Sequence, residues 1–308
     1  MRLCLRSATC LGLLLLAACV DETPMPASGA PSDAMREATL AGLEDRLGGR
    51  LGVALVGEDG VLRRSHRGDE RFAMCSTFKL ALSAAILEQV DDGDLSLDAE
   101  VPIDESDLLS YAPVVTERVG EGRIRVDELA VASVTLSDNS AANLLLERVG
   151  GPAGLTAFFR RQGDPVTRLD RIEPDLNENR PGDERDTTTP EAMATLVQRL
   201  VLGTGLSAES RELLRSWLEQ TSTGLQRIRA GLPDRWRAGD KTGTCGTAYN
   251  DVAVVWPPEG EALVLVVYID RPAVEAGDVD DVFAELGRLA AQFVAERVGG
   301  SNSAADSS

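Results

Sequence analysis

The chain predicts an α/β fold of the α+β kind: an antiparallel sheet assembled from both chain ends and covered by helices, with an all-helical subdomain inserted between them. Three patterns carry this expectation. Strand signals cluster just after the first helix and return only beyond residue 236; residues 100–230 carry helical spacing with very little strand signal; and amphipathic helices close both ends.

The elements follow in order. Leu40, Leu43 and Leu47 place a helix over Met35–Leu47, and Gly48-Gly49 stops it. Leu51–Val56 reads as a strand, and Glu58-Asp59-Gly60 as a hairpin turn into a second one. Phe78–Val90 suits a buried helix. Late strands fall at Arg237–Thr244, Asp251–Trp256 and Ala262–Asp270, the last two parted by Pro257-Pro258-Glu259-Gly260. Val282, Leu286, Leu289 and Phe293 (i, i+4, i+7, i+11) then mark a closing amphipathic helix. An active site is expected at the junction of sheet and inserted helices.

Composition narrows the function. With 308 residues, 43% hydrophobic and 26% charged, the chain is ordinary globular material, which excludes disorder, collagen and coiled coil as whole-chain readings. The formal charge, 31 − 50 = −19, argues against nucleic acid, whose phosphates demand basic patches. Of the 31 basic residues only two are lysines, Lys79 and Lys241. Where arginine serves nearly everywhere, those two positions need a chemical reason.

Residues 1–18 read as a signal peptide, with Arg2 and Arg6 before the apolar run Leu11–Ala18, too short for a comfortable membrane span. Leu16-Ala17-Ala18-Cys19 resembles the bacterial lipobox, in which the cysteine is lipidated and becomes the new N-terminus; ordinary cleavage after Ala18 is the alternative. Val20 after that cysteine resembles lipoproteins sorted to the outer membrane. The expectation is therefore an exported protein on the periplasmic side, touching membrane only through Cys19. Residues 19–34 read as lipidated N-terminus and flexible tether, and 299–308 as a disordered tail. The folded domain is expected over 35–298, its α/β part at about 35–75 and 231–298 and its helical part at about 76–230.

Three short motifs carry chemistry. In Ser76-Thr77-Phe78-Lys79, a helix starting here sets Ser76 and Lys79 on one face, at i and i+3. A neighbouring amine can take the hydroxyl proton only if it can be neutral, which lysine can be and arginine cannot. Ser137-Asp138-Asn139 follows the helical stretch Val126–Leu136, so Ser137 could relay a proton and the Asn139 amide could hold a substrate carbonyl. Lys241-Thr242-Gly243-Thr244 lies on a predicted strand, where Gly243 lets a ligand approach the backbone and the lysine and hydroxyls could grip a carboxylate. Each motif alone is ordinary: a helix cap, a second cap, a strand-edge lysine. That both lysines fall inside them is not ordinary.

S-x-x-K, S-D-N and K-T-G in this order resemble the active-site serine penicillin-recognising enzymes. A fourth motif, Arg171-Ile172-Glu173-Pro174-Asp175-Leu176-Asn177, resembles the Ω-loop signature R-x-E-x-x-L-N of class A β-lactamases, and the resemblance extends over roughly 36–298. It implies the serine β-lactamase fold and these roles. Ser76 attacks the lactam carbonyl, and the Ser76 and Thr244 N–H groups form an oxyanion hole, each donor worth about 3 kcal/mol. Glu173 and Asn177 hold and activate the hydrolytic water, and either Lys79 or Glu173 takes the first proton. Ser137 protonates the lactam nitrogen. Lys241, Thr242, Thr244 and Arg227 bind the substrate carboxylate, Tyr111 flanks the site as a gate, and Arg171 pairs with Asp186 to pin the loop. The resemblance implies a monomer acting on small β-lactams, with no cofactor and no nucleic-acid partner. The single histidine, His66, and the lack of a Cys/His cluster argue against metal catalysis.

Cysteine usage points to a subgroup. Cys75 precedes the nucleophile and Cys245 follows K-T-G-T, an arrangement that, with Arg227, resembles the disulfide-bearing class A carbapenemases; two separate buried thiols are the alternative. Two departures from the family pattern touch the cleft: the stretch 246–256 is about two residues short, and Val114-Val115 holds one extra residue. The rival expectation is a D-alanyl-D-alanine peptidase or a β-lactam sensor of the same superfamily, from which Glu173 discriminates.

Overall fold

The computed structural model describes residues 33–305; the leader, Cys19 and the tether up to residue 32 lie outside them. Helix α1 (Asp33–Leu47) leads into β1 (Arg50–Gly57), β2 (Leu62–His66) and the two-residue β3 (Phe72–Ala73). A 3-10 turn, Cys75–Thr77, precedes α2 (Phe78–Asp91), β4 (Glu100–Pro102), α3 (Pro113–Arg118) and β5 (Arg123–Arg125). Helices α4 (Val126–Thr135), α5 (Asn139–Arg148) and α6 (Gly151–Arg161) follow, then β6 (Thr187–Thr188), α7 (Pro190–Val197) and α8 (Ala208–Glu219). The chain closes with β7 (Arg237–Cys245), β8 (Ala248–Trp256), β9 (Leu263–Asp270) and α9 (Ala276–Ala305).

The two chain ends meet in one antiparallel five-stranded sheet of order β2-β1-β9-β8-β7. Its central strand β9 is buried along its whole length, which explains the unbroken apolar run Leu263–Ile269. Alternation then divides its side chains between two cores. Leu263, Leu265, Val267 and Ile269 pack with Leu43 and Leu47 of α1 and Val282, Phe283 and Leu286 of α9. Val264, Val266 and Tyr268 face the inserted helices instead. Helix α2 is buried from Phe78 through Leu87, as an all-round apolar helix must be. It lies at the centre of the helical layer and carries Lys79 into the interior.

Three expectations need correcting. Helix α9 runs on through 299–305, where the sequence suggested a disordered tail; no proline interrupts the backbone ladder there, and Gly299-Gly300 weakens a helix without ending it. Helix α2 begins at Phe78, as its apolar pattern predicts, but Ser76 sits in the 3-10 turn ahead of it rather than on the helix with Lys79. The stretch 100–230 also holds the small pairing β4–β5 and the strand β6, which pairs with β3 before it; all are too short to leave a period-two signal. Edge strand β7 presents its open side to the 3-10 turn, and the site forms along that seam.

Candidate active site

Lys79 is fully buried, and its amine is crowded by oxygen. Its Nζ lies 3.2 Å from Ser76 Oγ, 2.9 Å from Ser137 O, 3.3 Å from Ser137 Oγ and 2.5 Å from Asn139 Oδ1. Glu173 Oε1 stands 3.1 Å away, at ion-pair distance but without hydrogen-bond alignment. An ammonium has three protons for these oxygens, so they compete for it. Burial pushes the Lys79 amine below its ordinary pKa, and the Glu173 carboxylate opposes that shift.

Ser137 links the two lysines, for Lys241 Nζ lies 3.1 Å from its Oγ and donates to Thr242 O at 2.8 Å. Burial, and then the charge of Lys79, lower Lys241 to about 7. The turn that presents Ser137 is built by its neighbour. Asp138 caps α5 through the Ala141 N–H at 2.9 Å and holds the start of α3 through the Val114 and Val115 N–H groups, at 2.9 and 3.1 Å. Ser137 and Cys75 both adopt left-handed backbone, φ 59° and 47°, a conformation that costs about 1–2 kcal/mol per non-glycine residue and that surrounding contacts must impose.

Glu173 is carried on the segment 171–186, closed at its neck by Arg171 and Asp186. Arg171 Nε donates to Asp186 Oδ2 at 2.6 Å, and Asp186 Oδ1 accepts the Asp170 and Arg171 N–H groups. Within the segment, Asn177 Nδ2 donates to Glu173 Oε2 at 2.5 Å. Asn143 of α5 clamps the Glu173 backbone, accepting its N–H at 3.0 Å and donating to its carbonyl at 2.9 Å.

On the other wall, β7 passes so close to the Ser76 turn that a Cβ on Gly243 would stand 2.7 Å from Met74 O and 3.1 Å from Ser76 N. Asn250, opposite Gly243 on β8, donates to Ala73 O and Met74 O at 2.9 and 3.1 Å. A Cys75–Cys245 disulfide links the turn to the end of β7. Arg227 Nη2 donates to the Thr244 hydroxyl at 2.7 Å and Nη1 to Asn250 O at 2.6 Å. Thr242 Oγ1 pairs with Thr223 Oγ1 at 2.8 Å.

Ser76, Lys79, Ser137, Asn139, Glu173, Asn177 and Lys241 thus form one cluster, with Thr242, Gly243, Thr244 and Arg227 as its β7 wall. Tyr111 stands at the rim; its side chain is half exposed, and its carbonyl accepts the Asn139 N–H at 3.0 Å. His66 is elsewhere, paired with Glu44 of α1. Among the described residues no group of three metal-ligating side chains comes together.

Asn143, Asn250 and Thr223 escaped the sequence reading. Asn143 did leave a signal, lying at i+4 from Asn139 on the same helix face. Asn250 and Thr223 left only a polar position in an apolar strand and a hydroxyl in a loop.

The profile of the "Beta-lactamase enzyme family" matches residues 36–294. Beta-lactamase L2 of Stenotrophomonas maltophilia is 45% identical, with 93% of this chain and 95% of that protein covered. Beta-lactamase CTX-M-8 of Citrobacter amalonaticus is 42% identical over 94% of this chain and 96% of its own length. Among solved structures, an ancestral class A β-lactamase of Gram-negative bacteria superposes with TM-score 0.81 at 53% identity, covering 83% of this chain and 98% of that one. A β-lactamase from Xanthomonas campestris gives 0.80 at 44%, covering 82% and 95%.

Proposed function

The chain belongs to the class A β-lactamase family, and from that membership we propose that it hydrolyses penicillins, cephalosporins and carbapenems through a Ser76 acyl-enzyme that Glu173 deacylates. The observation that carries this reading is the position of Lys79 Nζ, 3.2 Å from Ser76 Oγ and 3.1 Å from Glu173 Oε1. As a neutral amine, Lys79 spends its two N–H groups on its shortest contacts, Ser137 O and Asn139 Oδ1, leaving its lone pair for the Ser76 proton. Lys79 keeps this proton until Ser137 relays it to the departing nitrogen, which leaves Glu173 as the base for the second half.

Ser76 Oγ bonds to the lactam carbonyl carbon while the Ser76 and Thr244 N–H groups stabilise the oxyanion. The C–N bond then breaks, and Ser137 passes a proton to the departing nitrogen, drawing on the amines that flank its hydroxyl. In the second half, Glu173 takes a proton from water held with Asn177; the water oxygen attacks the acyl carbon, and the bond to Ser76 Oγ breaks as Glu173 returns that proton to it through Lys79. Lys241, Thr242, Thr244 and Arg227 receive the substrate carboxylate, Asn139 its amide carbonyl, and Tyr111 borders the entrance. The disulfide, Thr244 and Arg227 favour carbapenems as substrates. A peptidase or sensor reading has no use for a buried carboxylate clamped by Asn143 and Asn177 beside the nucleophile's lysine.

Glu173→Gln tests the mechanism. It removes the base together with the charge that opposes the lowering of the Lys79 amine, so acylation continues while deacylation stops. Intact mass should show a penicillin adduct on Ser76; rapid multiple turnover by this variant would refute the assignment. A panel including imipenem tests the substrate range, and a long-lived imipenem adduct without product would exclude carbapenem hydrolysis. Export with lipidation at Cys19 completes the proposal, and the mass of the membrane-extracted N-terminal peptide checks it.

A further inference from the structure

The segment that carries Glu173 and Asn177 is held at a second place besides its Arg171–Asp186 neck, one residue beyond Glu178, whose carboxylate and carbonyl accept from Arg171 Nη1 and Nη2 at 3.0 and 3.2 Å. Asn179, two residues beyond Asn177, donates through Nδ2 to Asp270 Oδ1 at 3.0 Å. Asp270 is the last residue of β9, is 4% exposed, and is opposite Arg50 of β1 and Ala248 of β8 in the sheet. Its Oδ2 accepts from Arg50 Nη2 at 3.0 Å and from Arg271 Nη2 at 2.6 Å. The carboxylate is thus fixed from the sheet side and offers its other oxygen to the loop. A cleft of about 460 Å³ lies between residues 179–184 and the sheet end at Arg50, Arg71 and Asp270, and the Asn179–Asp270 bond spans it.

Two more contacts converge there. Arg50 lies 4.3 Å over the ring of Phe72, in the strand that pairs with Thr187–Thr188 just past the segment's neck. Arg271, next to Asp270, is held in left-handed backbone (φ 52°) with its N–H on Thr247 O at 2.9 Å, in the turn beside Cys245.

We propose that Asp270 and Asn179 are positioning residues for deacylation, tying the outer limb of the 171–186 segment to the sheet so that Asn177 and Glu173 keep their mutual geometry. The proposal rests on the Glu173 reading above. Asn177 reaches Glu173 over 2.5 Å within one tight turn, so a small drift of the limb breaks that contact, and displacement of about 1 Å in a catalytic group can cost on the order of a hundredfold. The acylating groups stand on other elements: the turn before α2, α2 itself, the α4–α5 junction and β7. Neither Asn179 nor Asp270 touches them, so the tether acts on the second step alone.

The test uses Asn179→Ala, which leaves the buried Asp270–Arg50 pair intact, and Asp270→Asn, which keeps the side-chain shape. With a penicillin, Asn179→Ala should lower kcat about tenfold while kcat/KM, which reports acylation, changes less than about twofold. Acyl-enzyme should build up in the steady state by intact mass, and backbone amides of 174–180 should exchange faster. The double variant should be no worse than the weaker single variant, as two ends of one contact require. Unchanged kcat, equal losses in kcat and kcat/KM, or additive losses would overturn the tether while leaving the Glu173 assignment standing. Turnover by Glu173→Gln would overturn both.

Discussion

Lys241 and Gly243 show how far one residue can decide the chemistry of this site. With its pKa lowered to about 7 by burial and by Lys79, Lys241 is a cation below that pH and loses its proton above it. A substrate carboxylate needs the cation, so kcat/KM should fall, mainly through KM, as pH rises from 7 to 9. Lys241→Ala should be slower throughout and should lack this alkaline limb; a pH profile of both proteins checks it, and an identical limb in the variant would assign it to another group. Gly243 answers a steric question. A methyl group there would press on Met74 O and the Ser76 amide, so Gly243→Ala should push β7 off the nucleophile and cut kcat/KM by on the order of a hundredfold, with the melting temperature little changed. Loss of fold rather than of rate, seen by circular dichroism, would contradict that account. The type of residue needed at both positions was legible in the sequence. The neighbours that make them necessary were not, because Met74 and Ser76 lie some 170 residues away along the chain.

At the scale of elements, the site is a seam between an edge strand and a turn, held redundantly. The Cys75–Cys245 bond closes a separation of 170 residues, and native disulfides of small domains contribute about 2–4 kcal/mol. Asn250 and the close approach at Gly243 hold the same two pieces together without it. Cys75→Ser should therefore lower the melting temperature and the denaturant midpoint, while retaining turnover of a penicillin within about tenfold. Equal melting curves for wild type with and without reductant would contradict a stabilising bridge. The long helices and the sheet strands were readable from periodicity because burial imposes it over many residues. The 3-10 turn at Ser76 and the two- and three-residue pairings were not, since so few residues carry no period. The continuation of α9 past residue 298 escaped for another reason: composition describes solvation, while a helix already docked by Phe293 and Val294 propagates at little cost.

For the whole molecule, two carboxylates are buried in the K-T-G strand and its neighbour, in a chain whose net charge is −19. Asp240 on β7 and Asp251 on β8 are both fully buried, and burial pushes both above the ordinary carboxylate range; Arg229, bonded to Asp240 at 3.0 Å, opposes the shift there. The folded state therefore keeps protons that the unfolded chain has released above about pH 4, so this contribution to stability is present in acid and is lost as pH rises through the raised pKa values. Asp251→Asn should flatten the fall in urea midpoint between pH 4 and 8 relative to wild type, and parallel curves would rule the pair out as its source. By itself the sequence determined the fold class and the two-ended sheet, and it singled out Ser76, both lysines and the Glu173 motif as candidates, because local spacing and residue chemistry survive in one dimension. Only the tertiary structure decided which groups share protons and which hold the loop: the oxygens around Lys79, the clamp by Asn143, and the tie from Asn179 to Asp270. Those contacts join residues up to 94 positions apart, and burial and distance are properties of the packed chain that no linear pattern encodes.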